Sequence, residues 1–341
     1  MNFKSVLFII ICFSFSFLSE AQKPVFKNLK ITYTQLPLKP LNKTIKSYSS
    51  ELIIDITTEN GDIDKLKNQY LKLEGYDKAE TGDIHIIAEF GEFKVHKELI
   101  TENVYNVNQG KNLTGYYYKI KCEYPVTLNL KDLAGELLFQ ETIIHNENQM
   151  NFDIGKWSYS TGELDSKLNE EKEKFTDLKN KFDKKSLSEI KNLLESNFSY
   201  VEKTKKIKIA TGKAKKHDYS DLNEAVDIME NAFIMISGLS DKEKETEEFK
   251  KAISIWEKAL NESSHDKKAR INEEITTMLY YNLSIAYWWM EDFNKSIEYA
   301  QSALINNTNS NKPSQQNKKL INKTIEMIKD HKTRLKIHGL I

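Results

Sequence analysis

Seven histidines and two cysteines are the side chains in this sequence best suited to hold a metal or act as a nucleophile. His85, His96, His145, His217, His265, His331 and His338 form no His-x-x-x-His pair and no His-Glu-x-x-His run, the spacings that bring two imidazoles to one helix face for zinc. Cys12 and Cys122 stand too far apart for a cysteine metal knuckle. His85 and His96 fall in β-rich stretches and read as surface histidines or satisfied core histidines. Ala210-Thr211-Gly212-Lys213-Ala214 has the outline of a phosphate loop. It lacks the first glycine, and Ala214 stands where a Ser or Thr would hold magnesium. Neither a Gly-x-Ser-x-Gly elbow nor a dinucleotide fingerprint occurs. Carboxylates are plentiful, but no spacing selects an acid and base pair. The sequence therefore predicts no catalytic residues, no metal and no cofactor: a protein that binds rather than an enzyme.

Charge narrows what it binds. The 341 residues carry 50 Lys and Arg against 50 Asp and Glu, so the net charge is zero and electrostatic capture of nucleic acid is not expected. Only Arg270 and Arg334 supply guanidinium groups; the other basic residues are Lys, which lack the rigid fork that grips phosphates and base edges. Apolar residues make up 39% and charged residues 29%, the balance of a folded water-facing chain with room for about two domains.

Residues 1–21 have the three parts of a secretory leader. Lys4 is positive, Ser5 to Leu18 is a short apolar run, and Ser19-Glu20-Ala21 puts small residues at the cleavage positions, predicting a cut before Gln22. The run is shorter than the roughly twenty residues of a membrane span. Cleavage leaves Cys122 alone, so no intrachain disulfide is expected and the fold must rest on its core. Cys122 alternates with Tyr116, Tyr118, Ile120 and Tyr124, one face of a strand.

Residues 22–160 predict a β-rich domain, sandwich-like or α+β. Leu29 to Tyr33, Leu52 to Ile56, Asp83 to Val95, Tyr116 to Leu130 and Glu136 to Ile144 read as strands, with one helix over Asp64 to Leu73. Gly91 marks a bulge or turn, and Asp132-Leu133-Ala134-Gly135 a hairpin turn. Residues 161–216 predict a charged helical connector: Leu164, Leu168, Phe175, Leu178 and Phe182 form one stripe. Ser186-Leu187-Ser188-Glu189 has the pattern of a capping box opening a second helix. Lys206 to Ala210 is a short strand-like run that could return to the β domain.

Residues 217–341 predict an all-α array. Residues 248–260 (EFKKAISIWEKAL) and 292–304 (DFNKSIEYAQSAL) align without gaps, sharing Phe249/Phe293, Ile253/Ile297, Ala259/Ala303 and Leu260/Leu304. Such self-similarity signals stacked helical hairpins. Leu283-Ser284-Ile285-Ala286-Tyr287, followed by Phe293, Ser296, Ala303 and Leu304, resembles a tetratricopeptide repeat. The earlier unit matches in its second helix through Ala252, Trp256 and Ala259. The proline that usually ends the repeat is absent, with Thr308 near its place, and the spacing of the units is longer than usual. Pro313 to His331 would be the closing helix. The resemblance implies a groove lined by first helices that binds a protein or peptide, with Met278, Tyr281, Ile285, Trp288 and Trp289 as its candidate contacts. Tyr281 and Ile285 stand where a carboxylate-clamping version would carry Asn, so that clamp is not expected.

The expected architecture is thus a β-rich domain followed by a tetratricopeptide-like array. The expected function is an exported, non-enzymatic scaffold in the periplasm or outer-membrane region of a Gram-negative bacterium, holding a protein partner. A polysaccharide-binding role for the aromatic run Tyr116-Tyr117-Tyr118, or a hydrolase with an unrecognised site, are the alternatives.

Overall fold

The computed structural model describes residues 23–54, 62–106, 108–147, 158–213, 216–238, 242–310 and 313–341. The leader expected over residues 1–21 lies outside them. The chain is a mixed α/β protein whose strands come mainly first and whose C-terminal part is a helical array. It forms two compact units: Leu36–Val201, and Met1–Gln35 with Glu202–Ile341. This differs from the division expected at 160/161 and 216/217. The charged helices belong with the sheet, while the first strand belongs with the helical array.

In the unit Leu36–Val201, strands β2 (Ser47–Ile53), β3 (Asp77–Lys78), β4 (Ile84–Phe90), β5 (Lys94–Asn106), β6 (Lys111–Asp132) and β7 (Leu137–Glu147) make one mixed sheet. β2 pairs parallel with β3 and β4, and β6 pairs antiparallel with β4, β5 and β7. One sheet with helices against it is the α+β form, not a sandwich. Strict alternation buries Ile120, Cys122, Tyr124, Val126, Leu128 and Leu130 on one face of β6. Helices α1 (Ile63–Tyr70), α2 (Thr161–Glu170) and α3 (Lys172–Asn197) supply the facing stripe, with Leu168, Leu178, Phe182, Leu187, Ile190 and Leu194 joining the same core. Ser160 caps α2 by accepting from Glu163 N at 3.2 Å. The capping box expected at Ser186 does not open a helix. The apolar stripe runs on through Leu187, Ile190 and Leu194, so α3 continues and buries Ser186 within it. Both ends of this unit meet: Leu38 N donates to Ser196 O at 3.0 Å and Lys39 N to Asn197 O at 2.7 Å.

In the other unit, β1 (Pro24–Gln35) and β8 (Val201–Gly212) pair as a two-stranded ribbon. Lys213 N donates to Lys23 O at 3.2 Å, and the hydroxyls of Thr32 and Thr204 lie 2.9 Å apart. Lys206–Ala210 therefore pairs with β1, not with the large sheet. Helices α4 (Ser220–Ser237), α5 (Lys242–Leu260), α6 (Glu273–Trp289), α7 (Phe293–Asn309) and α8 (Gln315–Ile337) pack each on the next, and β1 packs on α4 and α6. The aligned residues do the same work in both copies: Phe249, Ala252 and Ala259 are buried, as are Phe293, Ser296 and Ala303. Small residues one turn-pair apart let α7 press against α6, where Ser296 Oγ donates to Ser284 O at 2.8 Å. Asn272, Asp292 and Ser314 cap α6, α7 and α8. Among the described residues, no helix is long and apolar enough to cross a membrane.

Candidate functional site

The helix α6 was expected to expose one stripe. It is instead apolar or small on almost every side, and the structure buries it nearly all round. Met278, Tyr281, Ile285, Trp288 and Trp289, the expected groove contacts, are all core residues; Trp288 is 1% and Trp289 9% exposed. The two tryptophans stack at 4.9 Å between ring centroids. Trp288 Nε1 donates to His331 Nδ1 of α8 at 2.9 Å. Trp289 meets Tyr33 of β1 edge-on at 5.2 Å and Phe233 of α4 at 5.9 Å. Both adjacent tryptophans are buried because three different elements, β1, α4 and α8, converge on them. The Tyr281 hydroxyl hydrogen-bonds Thr324 of α8, and burial pushes the phenol up to about 12.

The chain's own elements cover this helix: α8 lies on Tyr281 and Trp288, and the ribbon on Asn282 and Trp289. Asn282 is fully buried, and its side-chain amide reads the main chain of Ala210 on β8 with both ends: Nδ2 donates to Ala210 O at 2.7 Å, and Oδ1 accepts from Ala210 N at 2.9 Å. Tyr33 lies against Trp289 and His331, and the Lys205 ammonium sits 5.4 Å above the Tyr33 ring. Burial holds the Lys205 amine below its ordinary value. Asn282 was not among the expected contacts. An amide inside a run of apolar helical residues was the available signal, because a buried amide needs partners. The ribbon's other faces are basic: Lys30, Lys206 and Lys208 are exposed between the buried Leu29, Ile31, Ile207 and Ile209.

The phosphate-loop outline dissolves in the same region. Ala210 to Gly212 end β8 as strand, and the Tyr219 ring occupies the place a Cβ on Gly212 would need. Tyr219 in turn donates to Arg270 O at 2.7 Å, and Arg270 bridges Asp221 and Glu262, which raise its pKa.

The unit Leu36–Val201 contains a cavity of about 810 Å³. It opens where the strand leaves β4 and enters β5, beneath the junction of α2 and α3. Phe90, Phe93, Val95, Leu168 and Phe175 give it apolar walls, and Lys97, Lys172, Lys179 and Glu92 are the charged residues that line it. On the opposite face of this sheet, His85 Nδ1 lies 2.9 Å from Ser49 Oγ, and its Nε2 lies 3.3 Å from Glu51 Oε2. The serine is nearly buried, and its hydroxyl also reaches Ile84 O at 3.4 Å. Tyr116, Tyr117 and Tyr118 are each half-buried, and the Tyr118 hydroxyl donates to Asp165 at 2.7 Å. Among the described residues, no group of three or more His, Cys, Asp or Glu could hold a metal ion.

No protein-family model matches this chain, and no curated protein does.

Proposed function

We propose that the chain is an exported, non-enzymatic scaffold of the bacterial envelope that holds a protein partner on its C-terminal, tetratricopeptide-like array. The leader pattern of residues 1–21 and the paired units 248–260 and 292–304 support this reading. The observation that carries it is the grip of Asn282 on Ala210. Helix α6 holds an extended segment by its backbone, a mode that peptide-binding folds use in trans. Here the segment is the chain's own β8, so the partner meets the ribbon and not the α6 stripe. Lys30, Lys206 and Lys208 on exposed ribbon positions suit an acidic, extended segment of that partner.

The test is crosslinked capture from native envelopes with wild type beside a Lys30→Glu/Lys206→Glu/Lys208→Glu variant of unchanged circular dichroism. A discrete partner held by wild type and released by the variant supports the ribbon as the contact. A partner held equally by both moves the contact elsewhere. Capture of none by wild type removes the scaffold reading.

A further inference from the structure

The cavity in the unit Leu36–Val201 owes its existence to a break in one strand. β4 and β5 follow each other along the same side of β6, with Phe90 opposite Val126 and Lys94 opposite Glu123. Between those pairs, Gly91, Glu92 and Phe93 face only Tyr124 and Pro125, so one residue is extra and the strand bulges. Gly91 N donates to Pro125 O at 2.9 Å, and a Cβ on Gly91 would come within 2.9 Å of the Pro125 ring. The bulge turns Phe93 onto Tyr124 (centroids 5.7 Å) and Phe182 (6.2 Å). Of these rings Phe93 lines the cavity, together with Leu168 of α2 and Phe175 of α3.

The charges around this space are of unequal standing. Lys179 is paired with Asp183 at 3.2 Å, and Glu92 leans 3.9 Å from Lys94. Lys97 lies 5.5 Å from the centroid of the Tyr118 ring. Among the described residues, neither Lys97 nor Lys172 has a carboxylate partner. An apolar chamber with two uncompensated ammonium groups beside it has the complement of an amphiphile with one negative head. A volume of about 810 Å³ falls within the roughly 300–1,000 Å³ of small-ligand sites.

We propose that this cavity binds one long-chain carboxylate, its hydrocarbon against Phe90, Phe93, Val95, Leu168 and Phe175 and its head between Lys97 and Lys172. Apolar burial holds the chain, and the ammonium groups select the anion over a neutral chain of equal length.

The test titrates the leaderless chain with monomeric hexadecanoate, by displacement of a fluorescent polyene fatty acid. In parallel it is titrated with hexadecanol and with phosphatidylglycerol vesicles. Saturable one-to-one binding of hexadecanoate is expected, with hexadecanol weaker by about tenfold. Lys97→Glu/Lys172→Glu, at two exposed positions, is expected to weaken hexadecanoate by about tenfold or more and leave hexadecanol unchanged. Val95→Trp, which fills the chamber, is expected to abolish both; if that variant fails to fold, the lysine variant decides. No saturable binding by wild type, equal affinity for acid and alcohol, or binding to vesicles without binding of the monomer would each overturn the proposal.

Discussion

The side-chain amide of Asn282 closes a two-bond ring on the main chain of Ala210, accepting from its N–H at 2.9 Å and donating to its carbonyl at 2.7 Å. A strand thereby gains, from a helix, the pair of hydrogen bonds a neighbouring strand would have given. Both partners are buried, so water cannot replace either bond. Asn282→Leu is expected to lower unfolding free energy by about 2–4 kcal/mol, because two main-chain groups lose their partners. Asn282→Asp should cost at least as much, since its carboxylate meets the Ala210 carbonyl. Urea denaturation followed by circular dichroism checks both, and a loss under 1 kcal/mol for either would contradict the ring's role.

Trp288→Ala separates a core tryptophan from a binding tryptophan. The ring is buried and its Nε1 is satisfied by His331, so truncation is expected to cost about 3–5 kcal/mol of stability. Thermal unfolding of the purified variant measures it. An unchanged melting temperature would return Trp288 to a surface role.

His331 makes stability depend on pH. Its Nδ1 accepts from Trp288, so the ring is neutral, and burial holds its pKa below the ordinary 6.5, with Lys205 and Arg334 acting in the same direction and Glu291 and Asp330 opposing. Below pH 6.5 the unfolded chain takes up a proton that the folded chain resists. The contribution is thus complete above 6.5 and is lost as pH falls toward the lower folded value. Denaturation midpoints between pH 7.5 and pH 5 should fall, and His331→Gln, which keeps an acceptor for Trp288, should flatten that fall. Equal slopes for the two proteins would remove His331 as the cause.

Gly212 is expected to tolerate no side chain. The Tyr219 ring, buried and tied by its hydroxyl to Arg270 O, fills the space a Cβ would enter. Gly212→Ala should cost about 1–3 kcal/mol, and the cost should shrink in a Tyr219→Leu background, where the ring no longer stands in the way. A double-mutant cycle by chemical denaturation reads the coupling; additive losses would mean the ring is not the obstacle.

Local patterns were legible wherever period and punctuation agree. The alternation through Tyr116, Tyr118, Ile120, Cys122 and Tyr124 placed one face of β6, whose last three members are buried; Gly135 with its positive φ closed the β6–β7 hairpin, and the aligned alanines marked where α5 and α7 pack. Long-range pairing was not. Leu29 to Tyr33 reads as a strand but says nothing about choosing β8, so the first strand was grouped with the large sheet. The Ser186 box failed for a related reason: a local capping pattern yields when the apolar stripe continues through Leu187, Ile190 and Leu194. The stripe on α6 was read as one-sided from the resemblance, although Met278, Leu279, Tyr281, Leu283 and Ile285 leave little polar surface anywhere on that helix. Gly91 marked the bulge, but no local pattern shows that Phe93, Leu168 and Phe175 line one cavity, because they come from three separate elements.

The ribbon joins the first described strand to one near the middle of the sequence, so the array's own unit is interrupted by the whole of Leu36–Val201. A chain emerging from its N-terminus releases β1 first and β8 much later, and β1 has no ladder to join in the interval. Closing so long a loop directly would carry a large entropic penalty. The insert removes most of it, because its folding ties Leu38 to Ser196 and Lys39 to Asn197 and so delivers both strands to one place. The interior segment thus works as a clasp for the ribbon, and a chain ending before Glu202 would lack the strand that pairs with β1.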